Sequence, residues 1–220
     1  MSNEISFAIR GDIIRAGHFA PRHSSLANSQ GSPCVVMAHG LGGVRAAGLT
    51  PFAEAFAAAG LHVICFDYRG FGTSDGQPRQ VVSVPMQLQD WAAAIEFART
   101  VDDVDPARIA TWGSSFSGGH AVAAAVNDGR VAAVSAQGAM MDGFAALQNV
   151  LRQQGLIHGL KLTRAGVSDA VRGFLGLPRN MLPVVAAPGA PGVLTTPDSE
   201  PGYMRIAPAA WRNEISTSWA

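Results

Sequence analysis

The chain has 220 residues, 48% of them apolar and only 15% charged, with a formal net charge of zero. That length supports one domain with a sizeable core. The charge balance lacks the basic footprint that nucleic acids and polyanions need, and it suits a small, weakly charged substrate.

Met1–Arg10 alternates polar and apolar residues and lacks the charged start and apolar stretch of a signal peptide. No apolar run approaches the ~20 residues of a membrane span. The expectation is therefore a cytoplasmic protein with no membrane partner. The two cysteines, Cys34 and Cys65, sit in short β-branched runs and read as buried hydrophobes. They form neither a disulfide framework nor a metal site, and no cofactor pattern occurs.

In chain order, Glu4–Ile9 alternates as a half-buried strand, with Asp12–Phe19 as its hairpin partner across Gly11-Asp12. Cys34–Ala38 is a continuous apolar run, the pattern of a buried parallel strand. His39–Gly48 is glycine-rich loop, Pro51–Ala59 a helix stopped by Gly60, and Leu61–Phe66 the next buried strand. After the turn-rich Asp67–Gln80, Pro85–Thr100 is an amphipathic helix with Leu88, Trp91, Ala92 and Ile95 on one face. Arg108–Trp112 is a strand, Ser117–Asn127 a helix of small residues, and Val131–Ser135 a sixth strand. Strands alternating with helices predict a doubly wound, mostly parallel α/β sheet. From Gln137 the character changes. Two short helices are expected, Phe144–Gln154 and Ser168–Leu175, the second capped near Ser168 or Asp169. The proline- and glycine-rich Leu177–Pro208 follows as a covering segment. The division is thus 1–136 as core and 137–220 as lid and incomplete C-terminal segment.

The most informative stretch is Thr111-Trp112-Gly113-Ser114-Ser115-Phe116-Ser117-Gly118-Gly119, between a strand and a helix. A sharp strand-to-helix turn carries its tip residue in a strained conformation and needs small residues two before and two after it. Gly113 meets the first need, and Ser117 stands where glycine is usual. Ser115 is the nucleophile this pattern selects. Ser114 points away from the tip, and Ser117 reads as packing or a cap. The competing reading, a phosphate cradle, lacks the required lysine and spaced glycines.

Two further loops follow successive strands. His39-Gly40-Leu41-Gly42-Gly43 needs its glycines for close backbone approach. His39 is read as ordering this loop rather than as a catalytic base. Asp67-Tyr68-Arg69-Gly70-Phe71-Gly72-Thr73-Ser74 turns tightly, with Asp67 and Arg69 pinning it. His62 and His120 are read as structural.

These three motifs, in this order at successive strand ends, resemble the α/β-hydrolase superfamily, in particular its serine aminopeptidase-like, dienelactone hydrolase-like and peptidase S15-like bacterial branch. The resemblance covers roughly Met1–Ser135. It implies an acyl-enzyme formed on Ser115 from an ester, amide or thioester, a small-molecule acyl substrate, and an oxyanion hole from the backbone N–H groups of Leu41 and Phe116, supported by His39, Gly40 and Gly113.

The same resemblance implies an acid and then a histidine after the nucleophile. After Ser115 only His120 and His158 remain, and neither matches the family position, so the base is not found. Asp142 is the one acid candidate, against a reading as a helix cap. Two further strand–helix units would need roughly 60 residues. The expectation is a truncated hydrolase whose sixth strand is an exposed edge, prone to self-association. The alternatives are a catalytically inactive binding protein on this fold and an acyltransferase on the same core.

Overall fold

The computed structural model describes residues 2–217, apart from the side chains of Val150, Gln153, Gln154 and His158. The chain opens with β1 (Asn3–Ile9) and β2 (Asp12–Phe19). Ile9 pairs with Asp12, so the turn is Arg10-Gly11 rather than Gly11-Asp12. Both turn residues have positive φ, 50° and 93°, as the two-residue primed hairpin demands.

Next come β3 (Ser32–Ala38), α1 (Thr50–Ala58), β4 (His62–Phe66), α2 (Val84–Ala98), β5 (Val104–Ser114), α3 (Phe116–Asp128) and β6 (Ala133–Gln137). They form one sheet in the order β1-β2-β4-β3-β5-β6, with β4, β3, β5 and β6 parallel and the hairpin antiparallel at one side. This is the expected α/β sheet.

Successive residues of the central strands feed opposite faces, which explains their unbroken apolar runs. Val35, Met37, Val63 and Cys65 pack with Leu49, Ala53 and Ala57 at α1. Cys34, Val36, Ile64 and Phe66 pack with Trp91 and Ile95 of α2 and Ala121 of α3. The two cysteines therefore lie on opposite faces and are free. From β3 the chain crosses through α1 to β4 on one side. From β4 it returns through α2 to β5 on the other. Such a switch in direction opens a crevice at the strands' carboxyl ends.

Beyond β6 the chain forms α4 (Gly143–Phe174), β7 (Met181–Leu182), α5 (Ser199–Ile206) and β8 (Ile215–Ser216), with β7 and β8 antiparallel. Here the structure departs from the sequence reading. The first expected helix, Phe144–Gln154, is present, since α4 is broken at Gly155, where φ is 81° and ψ 164°; the second helical stretch starts well before Ser168 and runs to Phe174. Asp169 is not a cap. It is buried and accepts from Arg179, the Asn180 N–H and Ser216. The covering segment is not featureless, since it holds β7 and α5, and Val184 and Val185 join the main core together with Ile215. β6 starts two residues later than expected, and all five of its residues are exposed at the outer edge of the sheet. Among the described residues no helix is long and apolar enough to cross a membrane.

Candidate active site

Ser115 occupies the single position between β5 and α3, with φ 55° and ψ −122°. Residues with a Cβ avoid this region, at a cost of about 1–3 kcal/mol. The surroundings over-determine it. The Ser115 N–H donates to the Gln137 carbonyl at 2.9 Å, and the Ser115 carbonyl accepts from Met140 and Gly118 at 2.9 and 3.0 Å. A Cβ on Gly113 would lie 2.1 Å from the Ser117 carbonyl oxygen, one on Gly119 2.3 Å from the Met140 carbonyl oxygen, and one on Gly118 2.8 Å from the Ala139 Cβ. The turn can close only because these three positions carry no side chain.

Of the three serines in this stretch only Ser115 is exposed. Ser117 is buried, and its hydroxyl meets the Tyr68 hydroxyl at 2.8 Å, which in turn accepts from the Trp91 indole at 2.8 Å. The glycine-to-serine departure at this position thus supplies a hydrogen bond to a buried phenol, which would otherwise lack one of its partners.

The loop after β3 reaches the same point. A Cβ on Gly40 would stand 3.5 Å from the Ser115 Cβ and 4.0 Å from its Oγ. His39 is buried; its Nδ1 donates to the Gly40 carbonyl at 2.9 Å, and the Tyr68 N–H faces its Nε2 at 3.5 Å. The Gly43 N–H donates to the same carbonyl at 3.2 Å. Since a trans peptide sets its C=O and N–H in opposite directions, the Leu41 N–H points away from these partners. An apolar cavity of about 330 Å3 opens beside Phe116, lined by Val84, Leu88, His120, Met140 and Met141 among others.

The other candidates are placed elsewhere. Asp142 caps α4, accepting from the Phe144 and Ala145 N–H groups at 2.7 and 2.9 Å. Asp67 holds its loop through the Arg45 and Thr73 N–H groups at 2.7 and 3.2 Å. Arg69 pairs with buried Asp90, a partner the sequence reading did not name. His120 donates from Nδ1 to the Phe116 carbonyl at 3.0 Å, and its buried Nε2 has no partner among the described residues. His62 stacks on His18 across the β2–β4 pairing. The side chain of His158 lies outside the described residues. Among the described residues none makes a hydrogen bond to Ser115 Oγ, so the structure brings together Ser115, Gly113, Phe116, His39, Gly40 and Leu41 but adds neither Asp142 nor a base.

Burial lowers His39 and His120 below the ordinary imidazole value, so both are neutral in the folded chain. Their unfolded forms take up a proton near pH 6.5 while the folded forms do not. Stability is then lost as pH falls below that value, at up to about 1.4 kcal/mol per pH unit for each ring until its own lowered pKa is reached. Burial pushes Asp90 the other way, up to about 6, so this carboxyl favours the folded state as pH falls from there toward the unfolded value. Burial lowers His18 and His62 in the same direction, so the rings together outweigh the one carboxyl and leave a net loss. The urea midpoint is expected to be lower at pH 5 than at pH 7, and a midpoint that rises on acidification contradicts the neutral rings.

Residues 10–170 match the sequence pattern of the X-Pro dipeptidyl-peptidase (S15) family. The chain is 44% identical over 178 residues to the quorum-quenching protein AidA of Acinetobacter baumannii, covering 81% of this chain and 57% of that protein. It is 41% identical over 99 residues to the thiohydrolase aneE of Aspergillus aculeatus, covering 45% of this chain and 31% of that protein. The chain thus spans little more than half of the first relative and about a third of the second. Among solved structures, the α/β hydrolase GrgF from Penicillium sp. sh18 superposes with a TM-score of 0.74 at 24% identity, over 99% of this chain and 70% of that one.

Proposed function

Because the chain belongs to the X-Pro dipeptidyl-peptidase (S15) family and has the α/β-hydrolase fold, we propose that it carries the acyl-binding half of a serine hydrolase site, with Ser115 as nucleophile. The observation that carries this reading is the backbone of Ser115, held at φ 55° and ψ −122° with its hydroxyl exposed beside Gly40. Strain of this kind persists where the surroundings enforce it, and it clusters at reacting groups. Ser115 Oγ attacks the carbonyl carbon of an ester, amide or thioester. The Leu41 and Phe116 N–H groups receive the developing oxyanion, each typically worth roughly 3 kcal/mol of barrier. The Ser115 hydroxyl proton passes to the leaving oxygen, nitrogen or sulfur, which departs as the alcohol, amine or thiol, and water then releases the acid and restores the serine. The apolar cavity beside Phe116 receives the acyl group.

A fluorophosphonate probe tests this. Added imidazole, standing in for a general base, is expected to accelerate labelling of Ser115, and Ser115→Ala to abolish it. No labelling with or without imidazole would overturn the nucleophile assignment and leave the inactive binding protein as the better reading. Acyl transfer to an acceptor other than water is the second reading, favoured by a 33% identical relative, the polyketide transferase grgF of a Penicillium species. Turnover of a simple thioester with and without an added alcohol separates the two, since a transferase forms the new ester in preference to the free acid.

Self-association is part of the same proposal. Among the described residues no strand pairs with the outer edge of β6, which is exposed, and α4 exposes Leu156, Ile157, Leu160, Val171 and Phe174. Open edges and apolar patches of this kind promote association. Sedimentation velocity at micromolar concentration is expected to show dimers or larger species; a monodisperse monomer removes this part of the proposal.

A further inference from the structure

Three consecutive carbonyls of the loop after β3 each accept a hydrogen bond from a side chain. His39 Nδ1 serves Gly40. The Tyr203 hydroxyl donates to the Leu41 carbonyl at 2.7 Å, and the Trp211 indole N–H donates to the Gly42 carbonyl at 2.8 Å. The first donor is the loop's own residue. The other two come from the segment after α4, beyond residues 10–170 that carry the family pattern. The two rings stack with centroids 5.4 Å apart at 28°, so neither can turn away without disturbing the other. Burial raises the Tyr203 phenol to about 12, which keeps it a proton donor throughout the neutral range.

The segment is held to the loop by more than these two bonds. Gly42 has φ 62°, and a Cβ there would fall 2.5 Å from Val184 Cγ2 and 2.9 Å from Ile215 Cγ2. Asn213 exchanges two hydrogen bonds with the Val185 backbone, at 3.0 and 2.9 Å. Gln80 bonds the Glu214 carbonyl at 2.7 Å and accepts from the Ser216 N–H at 2.8 Å, tying the segment to the loop after β4 as well.

We propose that Tyr203 and Trp211 are positioning residues, which fix the Leu41 and Gly42 carbonyls while His39 fixes the Gly40 carbonyl. The direction of each peptide follows from its carbonyl, because the N–H on the other side of the plane points the opposite way. With all three carbonyls engaged, the loop has one orientation, and the Leu41 N–H stays aimed into the crevice where Ser115 Oγ is exposed. Removing a donor leaves a carbonyl with no partner, and the flanking peptide then rotates toward water. The segment around 181–216 is on this account part of the acyl site and not a removable cover. The catalytic consequence rests on the acyl-enzyme reading above; the clamp itself does not.

The test uses the whole chain with Tyr203→Phe and Trp211→Phe, which keep the rings and remove one donor each. Met204→Ala, exposed on the same α5, is the control. Two readouts are taken. Backbone amide exchange over residues 39–43 is expected to quicken by about tenfold in each donor variant, with the amides of β3 and β5 unchanged. Fluorophosphonate labelling in the presence of imidazole is expected to lose about tenfold in kinact with KI unchanged. The control changes neither. Exchange over 39–43 as slow as in the parent overturns the clamp, and so does a raised KI with kinact intact, which marks a cover only. If the parent is not labelled, the acyl-enzyme reading fails while exchange over 39–43 still decides the clamp.

Discussion

Replacing Gly113 by alanine is expected to destabilise the folded chain by about 3 kcal/mol or more, read as a lower urea midpoint with the slope unchanged. The added Cβ would meet three backbone atoms: the Ser117 oxygen at 2.1 Å, the Ser117 carbon at 2.5 Å and the Gly118 nitrogen at 2.9 Å. No side-chain rotation relieves such a contact. Either β5 or the first turn of α3 must move, and the Ser115 bonds to Gln137 and Met140 move with it. Fluorophosphonate labelling is therefore expected to fall together with stability. Gly129→Ala is the contrast. Its Cβ would meet no atom within 4 Å, so its cost is confined to the left-handed φ of 70°, about 1 kcal/mol. Equal costs at the two positions would mean that steric closure of the elbow is not what Gly113 supplies.

Asp90→Ala is expected to cost about 3–5 kcal/mol, because it leaves the Arg69 guanidinium buried without its countercharge. Arg69 is 5% exposed and Asp90 fully buried. The carboxylate accepts from Arg69 Nε at 2.5 Å and from the Arg69 N–H at 3.0 Å, while Arg69 also donates to the Met86 carbonyl and Gln89 Oε1 at 3.1 Å. The pair thus anchors the loop after β4 to α2. Burying both charges is itself costly, so replacing both residues by apolar ones of similar size is expected to be far milder than either single change. A double-mutant cycle of Asp90→Leu and Arg69→Met, followed by urea denaturation, measures the coupling. Additive single effects would show that the two side chains do not act as a pair.

The features that were legible in the sequence are those enforced within a few neighbouring residues. A strand covered on both faces must be apolar throughout, so Cys34–Ala38 and Leu61–Phe66 announce themselves, and the structure places β3 and β4 there. A closed elbow must have a bare backbone two residues before its tip, so Gly113 and Ser115 stand out together. The loop around Gly40 reads as a close backbone approach for the same steric reason.

What the sequence by itself determined is therefore the order of strands and helices from β3 to α3 and the local shape of the two loops that meet at Ser115. The tertiary structure alone decided what surrounds them. Tyr203 and Trp211 reach Leu41 and Gly42 across 162 and 169 residues. Tyr68 meets Ser117 across 49, and Arg69 meets Asp90 across 21. The second helical stretch of α4 starts well before Ser168, and Asp169, near its C-terminal end, is bonded to Arg179, Asn180 and Ser216 instead of capping it. Steric limits on φ and the alternation of a strand act between neighbours and leave a pattern in the chain. A hydrogen bond between distant segments needs only one donor and one acceptor, with no spacing between them that a sequence could display.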